Sequence, residues 1–175
     1  MRHAFADTPP VDIVVSPARI AQVGRARFRC AVGRGGITAH KREGDGGTPA
    51  GIWPLREVLY RADRIAKPKT ALPVRALTRD DGWCDAPGDA SYNKPVRLPH
   101  PASAEQLWRA DHIYDLIVVV GYNDAPVVPG AGSAIFLHFA RSNYAPTAGC
   151  VAFAPAHLLK ILALTDTRSR VVVRA

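Results

Sequence analysis

The sequence lacks any long run of apolar residues. Its longest run, around residues 116–120, has the length of a strand, whereas a membrane-spanning helix needs about 20 apolar residues. We therefore expect no stable insertion into a membrane. The composition also excludes a disordered chain, because 47% of the 175 residues are hydrophobic. At roughly 100–200 residues per domain, this length predicts a single domain over residues 1–175, with residues 1–11 as a flexible N-terminal tail.

Cysteine is scarce, and its spacing is not that of a metal or disulfide framework. The 3 cysteines are Cys30, Cys84 and Cys150, so at least one thiol is unpaired and a disulfide-dense scaffold is excluded. No two of them are close enough for a CxxC motif, and the 6 histidines form no HExxH motif. The sequence therefore predicts no metal site.

A dense basic tract is also absent, although the chain carries 23 Lys and Arg against 15 Asp and Glu, a net charge of +8. Such a surface attracts anions, among them nucleic acid, an anionic membrane surface and an anionic polymer such as peptidoglycan. Because no zinc-finger or RNA-recognition signature is present, a solvated basic surface is favoured over a nucleic-acid site.

The glycine-rich stretch of residues 33–51 does not have the pattern of a nucleotide-binding loop. A P-loop requires Lys after its last glycine, where this chain has Ile52. The dinucleotide pattern fails as well, because Thr38 stands where the third glycine belongs. These glycines are therefore predicted to form turns between strands.

Hydrophobic periodicity predicts a mainly β fold with minor α content. The predicted strands are residues 12–15, 20–23, 26–32, 113–121, 134–138 and 169–173. Residues 80–101, rich in Pro, Gly, Asp and Asn, are predicted to be a long ordered loop that exposes Cys84. Pro155 is predicted to begin a helix with an apolar face of Leu158, Leu159 and Leu162.

The segment IFLHFARSNYAPTAGCVAF, residues 135–153, indicates nucleophilic catalysis. It places His138 at the end of an apolar strand and Cys150 after a short polar turn. An adjacent imidazole activates a thiol, and Gly149 allows a backbone N–H to approach an oxyanion closely. The spacing alone is equally compatible with a buried thiol and a hydrogen-bonded core histidine.

This segment resembles the active-site motif of the YkuD family of L,D-transpeptidases (the ErfK/YbiS/YcfS/YnhG group). The family pattern is a strand-borne His, a loop and Ser/Thr-x-Gly-Cys-Ile/Val, which His138, Thr147, Gly149, Cys150 and Val151 match in order.

The resemblance extends over most of the chain, from about residue 14 to residue 164. The KREGDGGTPAG stretch, residues 41–51, resembles the Lys…Thr-Pro-x-Gly element of the family, and Gly-Tyr-Asn at 121–123 fits as well. Three features depart from the pattern. Phe139 replaces a common Gly, Ala152 replaces a common Arg, and only 11 residues separate His138 from Cys150. Arg141 is a candidate to replace the missing Arg.

The resemblance implies a YkuD-like β-sandwich of mixed sheets with a short helix after the catalytic Cys. It also implies that Cys150 attacks a peptidoglycan stem peptide to form a thioester, which the amine of a second stem resolves. His138 would then handle the protons, the backbone around Gly149 and Cys150 would bind the oxyanion, and Thr147 would order the loop and help to orient His138. No cofactor is implied, because thiol chemistry carries both half-reactions.

Six residues are candidates for contacts with stem peptide or adjoining glycan, although each could instead belong to the core or to a turn. They are Tyr92, Asn93, Tyr122, Asn123, Arg141 and Tyr144. Trp83 is expected to be a core residue.

The resemblance favours 1,3 links, from L-Ala to diaminopimelate, over the commoner 3,3 links. Alternative functions are an L,D-carboxypeptidase or endopeptidase, a non-catalytic peptidoglycan-binding module and, third, a nucleic-acid-binding protein. The family implies a monomer in the periplasm or cell envelope, although no signal peptide is recognisable in MRHAFADTPPVDIVV. Prior removal of a signal peptide would reconcile the two.

Overall fold

The computed structural model describes residues 9–175, and β-strands dominate this part of the chain. The strands are β1 (Ile13–Val15), β2 (Ile20–Val23), β3 (Ala26–Ala31), β4 (Ile37–Thr38), β5 (Thr48–Pro49), β6 (Gly51–Tyr60), β7 (Val74–Ala76), β8 (Asp81–Cys84), β9 (Pro95–Arg97), β10 (Ala104–Gln106), β11 (Leu116–Val120), β12 (Phe136–Phe139), β13 (Val151–Phe153) and β14 (Arg170–Val173). The helix α1 (Pro155–Leu164) follows Cys150. The predicted fold class, mainly β with a short helix after the Cys, is confirmed.

Two mixed sheets share the strands β3 and β6. One sheet has the order β3-β2-β1-β14-β6, and the other has the order β7-β6-β11-β12-β13-β3. The first half of β6 pairs with β14, and its second half pairs with β11. Likewise, the first part of β3 pairs with β2, and its last two residues pair with β13. The sheets are mixed because β1–β14, β6–β7 and β12–β13 are parallel pairs. A separate three-stranded sheet, β10-β8-β9, lies outside this pair.

The strand β11 is buried on both faces, which explains its uninterrupted apolar sequence LIVVV. Successive side chains of a strand point to opposite faces. Leu116 and Val118 accordingly belong to the main core with α1, whereas Ile117 and Val119 belong to a second cluster. That second cluster includes Trp83 of β8, so the three-stranded sheet covers the outer face of β11 and β12.

The helix α1 begins at the predicted Pro155, and its buried face differs by one residue from the predicted one. Leu158, Ile161 and Leu162 are buried, whereas Leu159 is 38% exposed. The i, i+3, i+4 spacing of Leu158, Ile161 and Leu162 places them on one face of the helix, and Leu159 points away from it.

Other boundaries confirm or correct the sequence predictions. The strand at residues 20–23 is confirmed, and Cys30 and Trp83 are buried in the core as predicted. The ten-residue strand β6 was not predicted, because Gly51 and Pro54 within it are typical of turns. The predicted loop over residues 80–101 is wrong in part, since it contains β8 and β9, and Cys84 is buried in β8 rather than exposed.

The predicted tail of residues 1–11 lies mostly outside the described residues. Within the described part, Pro9 and Pro10 are exposed, and Val11 packs against the main core. No helix among residues 9–175 has the length and apolar character needed to cross a membrane.

The two adjacent leucines of α1 provide a matched test of the packing. We expect Leu158→Ala to lower the free energy of unfolding by about 2–5 kcal/mol, because it leaves a cavity in the core. Leu159→Ala is expected to change it by less than about 1 kcal/mol. Urea unfolding followed by circular dichroism measures both values, and equal losses in the two variants would contradict this assignment of the buried face.

Candidate active site

His138 and Cys150 are brought together by the parallel pair β12–β13. His138 lies on β12 opposite Ala152, and Cys150 immediately precedes β13. Both side chains line one cavity of about 490 Å³. Because the two strands are hydrogen-bonded neighbours, the sheet fixes His138 directly and brings the residue before β13, Cys150, beside it. The spacing of the sequence motif is therefore explained by a strand, a short connection and the adjacent parallel strand.

The thiol of Cys150 is buried and hydrogen-bonded to backbone. Its Sγ donates to the carbonyl oxygen of Ala134 at 3.3 Å and accepts the N–H of Phe136 at 3.4 Å. Burial raises the pKa of Cys150 to about 12, and the charge of Glu105 adds to this rise. The Phe136 N–H and the ammonium of Lys41 act in the opposite direction but do not offset burial. The resting group at neutral pH is therefore the protonated thiol.

The imidazole of His138 is neutral as well. Its Nδ1 lies 2.9 Å from the carbonyl oxygen of Phe139. A carbonyl oxygen only accepts, so Nδ1 carries the hydrogen and Nε2 carries the lone pair of a base. Burial lowers the pKa of His138 to about 4. The ring of Tyr114 packs edge-on against the imidazole, with ring centroids 5.2 Å apart.

Thr147 closes the turn that leads to Cys150. Its hydroxyl donates to the carbonyl oxygen of Cys150 at 2.7 Å and accepts the N–H of Gly149 at 3.1 Å. Its backbone N–H donates to Val32 at 3.0 Å, and its carbonyl accepts the N–H of Arg34 at 2.9 Å. The two backbone bonds tie the loop before the Cys to the end of β3, and the two hydroxyl bonds close the turn itself. The role of Thr147 in orienting His138 stays a prediction.

Two glycines permit a close approach between this loop and the glycine-rich segment. Gly149 has a φ of +144°, and a Cβ on it would lie 2.9 Å from the carbonyl oxygen of Gly47. A Cβ on Gly33 would lie 2.1 Å from the carbonyl oxygen of Gly46. Any side chain at either position would therefore displace backbone. Gly46, with a φ of +69°, is one of several turn glycines that the sequence predicted in this stretch.

Charged side chains of both signs line the cavity. The acidic ones are Glu43, Asp85 and Glu105, and the basic ones are Arg34, Lys41, Arg109 and Arg141. Glu105 is partly buried, its desolvation raises its pKa, and its carboxylate accepts the hydroxyl of Tyr114 at 2.6 Å. The sequence reasoning missed Glu105, Arg109 and Tyr114, since no motif marks them and their elements are distant from the Cys motif in the sequence.

Arg141 lines the cavity, as expected for a residue that contacts substrate. Its guanidinium is more than half exposed and lies 3.4 Å from the carboxylate of Asp111. Tyr144, the other candidate from this loop, has a φ of +53° and stacks beneath the guanidinium of Arg29, 4.3 Å from its ring centroid. Tyr144 is not among the residues that line the cavity.

Tyr92 and Asn93 lie behind the site. The Tyr92 hydroxyl donates to the carboxylate of Glu43 and accepts the N–H of Gly132 at 3.0 Å. The side-chain oxygen of Asn93 accepts the N–H of Ala134 at 3.0 Å, and Ala134 is the residue whose carbonyl accepts the thiol of Cys150. Both side chains are buried and hold the segment that includes Gly132 and Ala134, next to Cys150. Their direct contact with substrate stays a prediction.

Tyr122 and Asn123 brace the neighbouring loop. The Tyr122 hydroxyl donates to Ala131 at 2.6 Å, and the Asn123 amide donates to Gly132 at 2.9 Å. Neither lines the cavity of about 490 Å³. The structure therefore brings Cys150, His138, Thr147 and Arg141 together around one cavity and places the other substrate candidates in its supporting shell.

One group of metal-ligating side chains is present among residues 9–175. It consists of Cys84, Asp89 and His100, whose ligand atoms all lie within 4.8 Å of one another. None of the three lines the cavity that holds Cys150. The sequence did not predict this group, because its members are brought together only by the fold.

Comparisons with known proteins identify a family. The family model of YkuD, the L,D-transpeptidase catalytic domain, matches residues 11–173. A solved structure, an L,D-transpeptidase from Mycobacterium smegmatis, is similar with 13% identity and a TM-score of 0.44, covering 95% of this chain. This chain spans 59% of that one. The search of curated proteins found no match.

The neutral state of the pair predicts slow alkylation of Cys150 at pH 7. A pKa near 12 leaves little thiolate, so iodoacetamide should label Cys150 on the order of 50-fold more slowly than a thiol of ordinary pKa. The rate should rise steadily with pH up to the limit of folding. Mass spectrometry of the labelled peptide measures it, and the Cys150→Ala variant gives the background from Cys30 and Cys84. Fast labelling that falls off only in acid would instead show a thiolate–imidazolium pair.

Proposed function

Because the chain belongs to the YkuD family of L,D-transpeptidase catalytic domains, we propose that it crosslinks peptidoglycan stem peptides through a thioester on Cys150. The observation that carries this proposal is the shared cavity. A thiol and the basic nitrogen of a neutral imidazole line it from adjacent parallel strands. The stem peptide is a substrate of the family, and its transfer needs a nucleophile and a proton acceptor in such a pocket.

In the first half-reaction the sulfur of Cys150 attacks the stem carbonyl next to diaminopimelate. The thiol proton passes to Nε2 of His138 as the C–S bond forms. The resulting imidazolium returns that proton to the leaving amine, so the residue beyond the carbonyl departs as a neutral amine. Since the resting thiol and imidazole are both neutral, the proton transfer accompanies the attack and does not precede it.

In the second half-reaction the amine of another stem peptide attacks the thioester. His138 accepts a proton from this amine and returns it to the departing sulfur, which regenerates the thiol. The new amide bond is the crosslink. Attack by water in place of the amine would give a shortened stem, which is the reaction of an L,D-carboxypeptidase or endopeptidase.

The backbone N–H of Cys150 is the candidate donor to the oxyanion. The N–H of Gly149 is already engaged by the hydroxyl of Thr147 at 3.1 Å. The missing side chain of Gly149 makes room for the carbonyl of Gly47, which packs against this turn. Gly149 therefore shapes the turn, while the following residue contributes the hydrogen bond to the oxyanion.

The mixed charge of the cavity is suited to stem peptides. Glu105 and Asp85 lie among its acidic residues, and Arg109 and Arg141 among its basic ones. Stem peptides carry both ammonium and carboxylate groups, and each finds a side chain of opposite charge in such a wall. A binding site for a polyanion such as nucleic acid would not place three carboxylates in its wall.

Arg141 is proposed to replace the Arg that the family pattern has two residues after the Cys. That position is Ala152, which is buried, lines the cavity and lies opposite His138. Arg141 reaches the same cavity from the loop after β12. The other departure, Phe139, packs into the main core on the opposite face of the strand from His138, so it leaves the site unobstructed.

The finer assignments extend the same proposal. We favour 1,3 links from L-Ala to diaminopimelate over 3,3 links, on the resemblance alone. The family acts in the cell envelope, and a monomer in the periplasm is proposed for this member. The single domain over residues 1–175 is part of the proposal as well.

Purified peptidoglycan sacculi test the activity directly. Wild-type protein is expected to generate new crosslinked dimers, and Cys150→Ala to generate none, because the thioester cannot form without the thiol. Cys30→Ala, which removes another buried thiol outside the cavity, should retain the activity of the wild type. Muramidase digestion followed by fragmentation mass spectrometry measures the products and distinguishes 1,3 from 3,3 links.

The other outcomes of this experiment each select a different function. Shortened stems without dimers would make the protein a hydrolase, and dimers joining two diaminopimelates would overturn the 1,3 assignment. Sacculi that bind the protein equally well after Cys150→Ala, with no change in muropeptides, would indicate a binding module.

The role of Arg141 has its own test. We expect Arg141→Ala to lower kcat/KM for crosslinking by about 100-fold, because a guanidinium–carboxylate contact with the substrate is lost. Arg97→Ala is the matched control, since the Arg97 side chain is also more than half exposed and also pairs with an aspartate but lies outside the cavity. Assays on sacculi with both variants, after circular dichroism has shown that they are folded, measure the effect. Near-normal turnover of Arg141→Ala would exclude this role.

A further inference from the structure

Three side chains capable of binding a metal converge beside the three-stranded sheet. Cys84 ends β8, Asp89 lies in the turn that follows it, and His100 lies in the segment after β9. Their ligand atoms all lie within 4.8 Å of one another. A thiol, a carboxylate and an imidazole are the three ligand types that protein zinc sites use.

The distance between the Nε2 of His100 and the Oδ1 of Asp89 fits two ligands of one metal ion better than it fits a hydrogen bond. The Nε2 of His100 lies 3.4 Å from Oδ1 of Asp89, and it is buried without a hydrogen-bond partner among residues 9–175. A charge-assisted hydrogen bond would be about 2.7–2.9 Å long. Nitrogen and oxygen ligands at about 2.0–2.2 Å from a tetrahedral zinc ion are separated by roughly 3.3–3.5 Å.

The carboxylate of Asp89 is ready to bind a cation. The backbone N–H of Ser91 donates to Oδ1 at 2.7 Å. An oxygen with one hydrogen bond keeps a lone pair for a metal. The carboxylate is therefore oriented by backbone with a lone pair available for an ion.

Backbone hydrogen bonds hold two of the three ligands, Cys84 and Asp89, in place before any metal binds. Cys84 exchanges hydrogen bonds with the residues just before β9, its N–H donating to Lys94 at 3.0 Å and its carbonyl accepting the N–H of Asn93 at 2.9 Å. The N–H of Tyr92 donates to the carbonyl of Asp89 at 3.0 Å. An ordered set of ligands loses little conformational entropy on binding.

The cluster is also accessible to an ion from solution. Cys84 is fully buried, whereas the side chains of Asp89 and His100 are 26% and 15% exposed. An ion therefore reaches the Asp89 carboxylate first, because the Nε2 of His100 and the Cys84 side chain are both buried.

We propose that Cys84, Asp89 and His100 form a Zn²⁺ site with one water as the fourth ligand. Binding replaces the water ligands of the hydrated ion by Sγ, Oδ1 and Nε2, and the thiol proton of Cys84 is released to solvent. No electron is transferred. The mixed sulfur, nitrogen and oxygen set suits zinc better than calcium or magnesium, which prefer oxygen ligands alone.

The site is structural, and it fastens the segment that supports the catalytic cavity. The three ligands enclose residues 85–99, which include Tyr92 and Asn93 behind the nucleophile and Asp85 in the cavity wall. Zinc bound at Cys84, Asp89 and His100 closes this segment as a cross-link does. It takes no part in the proposed acyl transfer, because none of its ligands lines the cavity.

Zinc binding is tested on the full chain, free of any affinity tag and stripped of metal, in the Cys150→Ala background. That substitution removes the catalytic thiol as a competing ligand. Competition with a chromophoric chelator is expected to show one Zn²⁺ per chain, and thermal unfolding is expected to shift to higher temperature with added Zn²⁺. Co²⁺ in place of Zn²⁺ should give a thiolate-to-metal charge-transfer band that Cys84→Ser abolishes.

The variants His100→Ala and Asp89→Asn should each bind Zn²⁺ at least about 10-fold more weakly and lose the thermal shift. His112→Ala is the matched control. The Nδ1 of His112 lies 2.7 Å from the carboxylate of Asp115, so the two form a similar histidine–aspartate pair, but no thiol completes a ligand cluster with them. Circular dichroism of the metal-free variants checks that each of them is folded. The proposal is overturned if stoichiometric Zn²⁺ is not bound, if His100→Ala binds it as tightly as the parent, or if Co²⁺ gives no band that depends on Cys84.

Discussion

The catalytic arrangement depends on a close contact between two stretches of backbone. The carbonyls of Gly46 and Gly47 occupy the places where Gly33 and Gly149 would carry a Cβ. This contact lets Thr147 pair with the end of β3, and Thr147 in turn closes the turn into Cys150. The nucleophile is therefore positioned by backbone packing among glycines, and the strand pair β12–β13 then places His138 in the same cavity. Without this backbone contact, the loop before Cys150 would lose the packing that holds it against the end of β3.

Burial is the common cause of the unusual pKa values in the site. It raises the pKa of the Cys150 thiol and lowers that of the His138 imidazole, so the same surroundings disfavour both charged forms. In the proposed acyl transfer, charge separation would therefore occur only during the reaction, when the developing oxyanion and imidazolium would stabilise each other in a site of low dielectric. Glu105 reinforces this state, because a nearby carboxylate opposes formation of a thiolate in the absence of substrate.

Local pattern was sufficient for much of the fold and for singling out His138 and Cys150, whose catalytic roles rest on the family resemblance and stay a prediction. The apolar strand β11, the strand-borne His138 and the helix after Pro155 are encoded in short stretches of sequence, and the structure has strands and helix there. Glu105, Arg109 and Tyr114 were beyond such reasoning, since they line the cavity only because β10 and the segment before β11 pass beside β12. The strand β6 was missed for a related reason. Its Gly51 and Pro54 oppose β-structure locally, and only pairing with β14 and β11 on separate halves compensates for them.

The three-stranded sheet connects the Cys84, Asp89 and His100 cluster to the catalytic cavity through one strand. Neighbouring residues of β8 point to opposite faces, so Trp83 packs against Phe136 of β12 at a ring-centroid distance of 5.1 Å while Cys84 faces the cluster. The indole N–H of Trp83 donates to the same oxygen of Asn93 that accepts the N–H of Ala134. The carbonyl of Ala134 then accepts the thiol of Cys150. Disorder in residues 85–99 would break this chain of contacts at Asn93. Any interaction that orders this segment therefore also fixes the carbonyl of Ala134, which accepts the hydrogen bond of the Cys150 thiol.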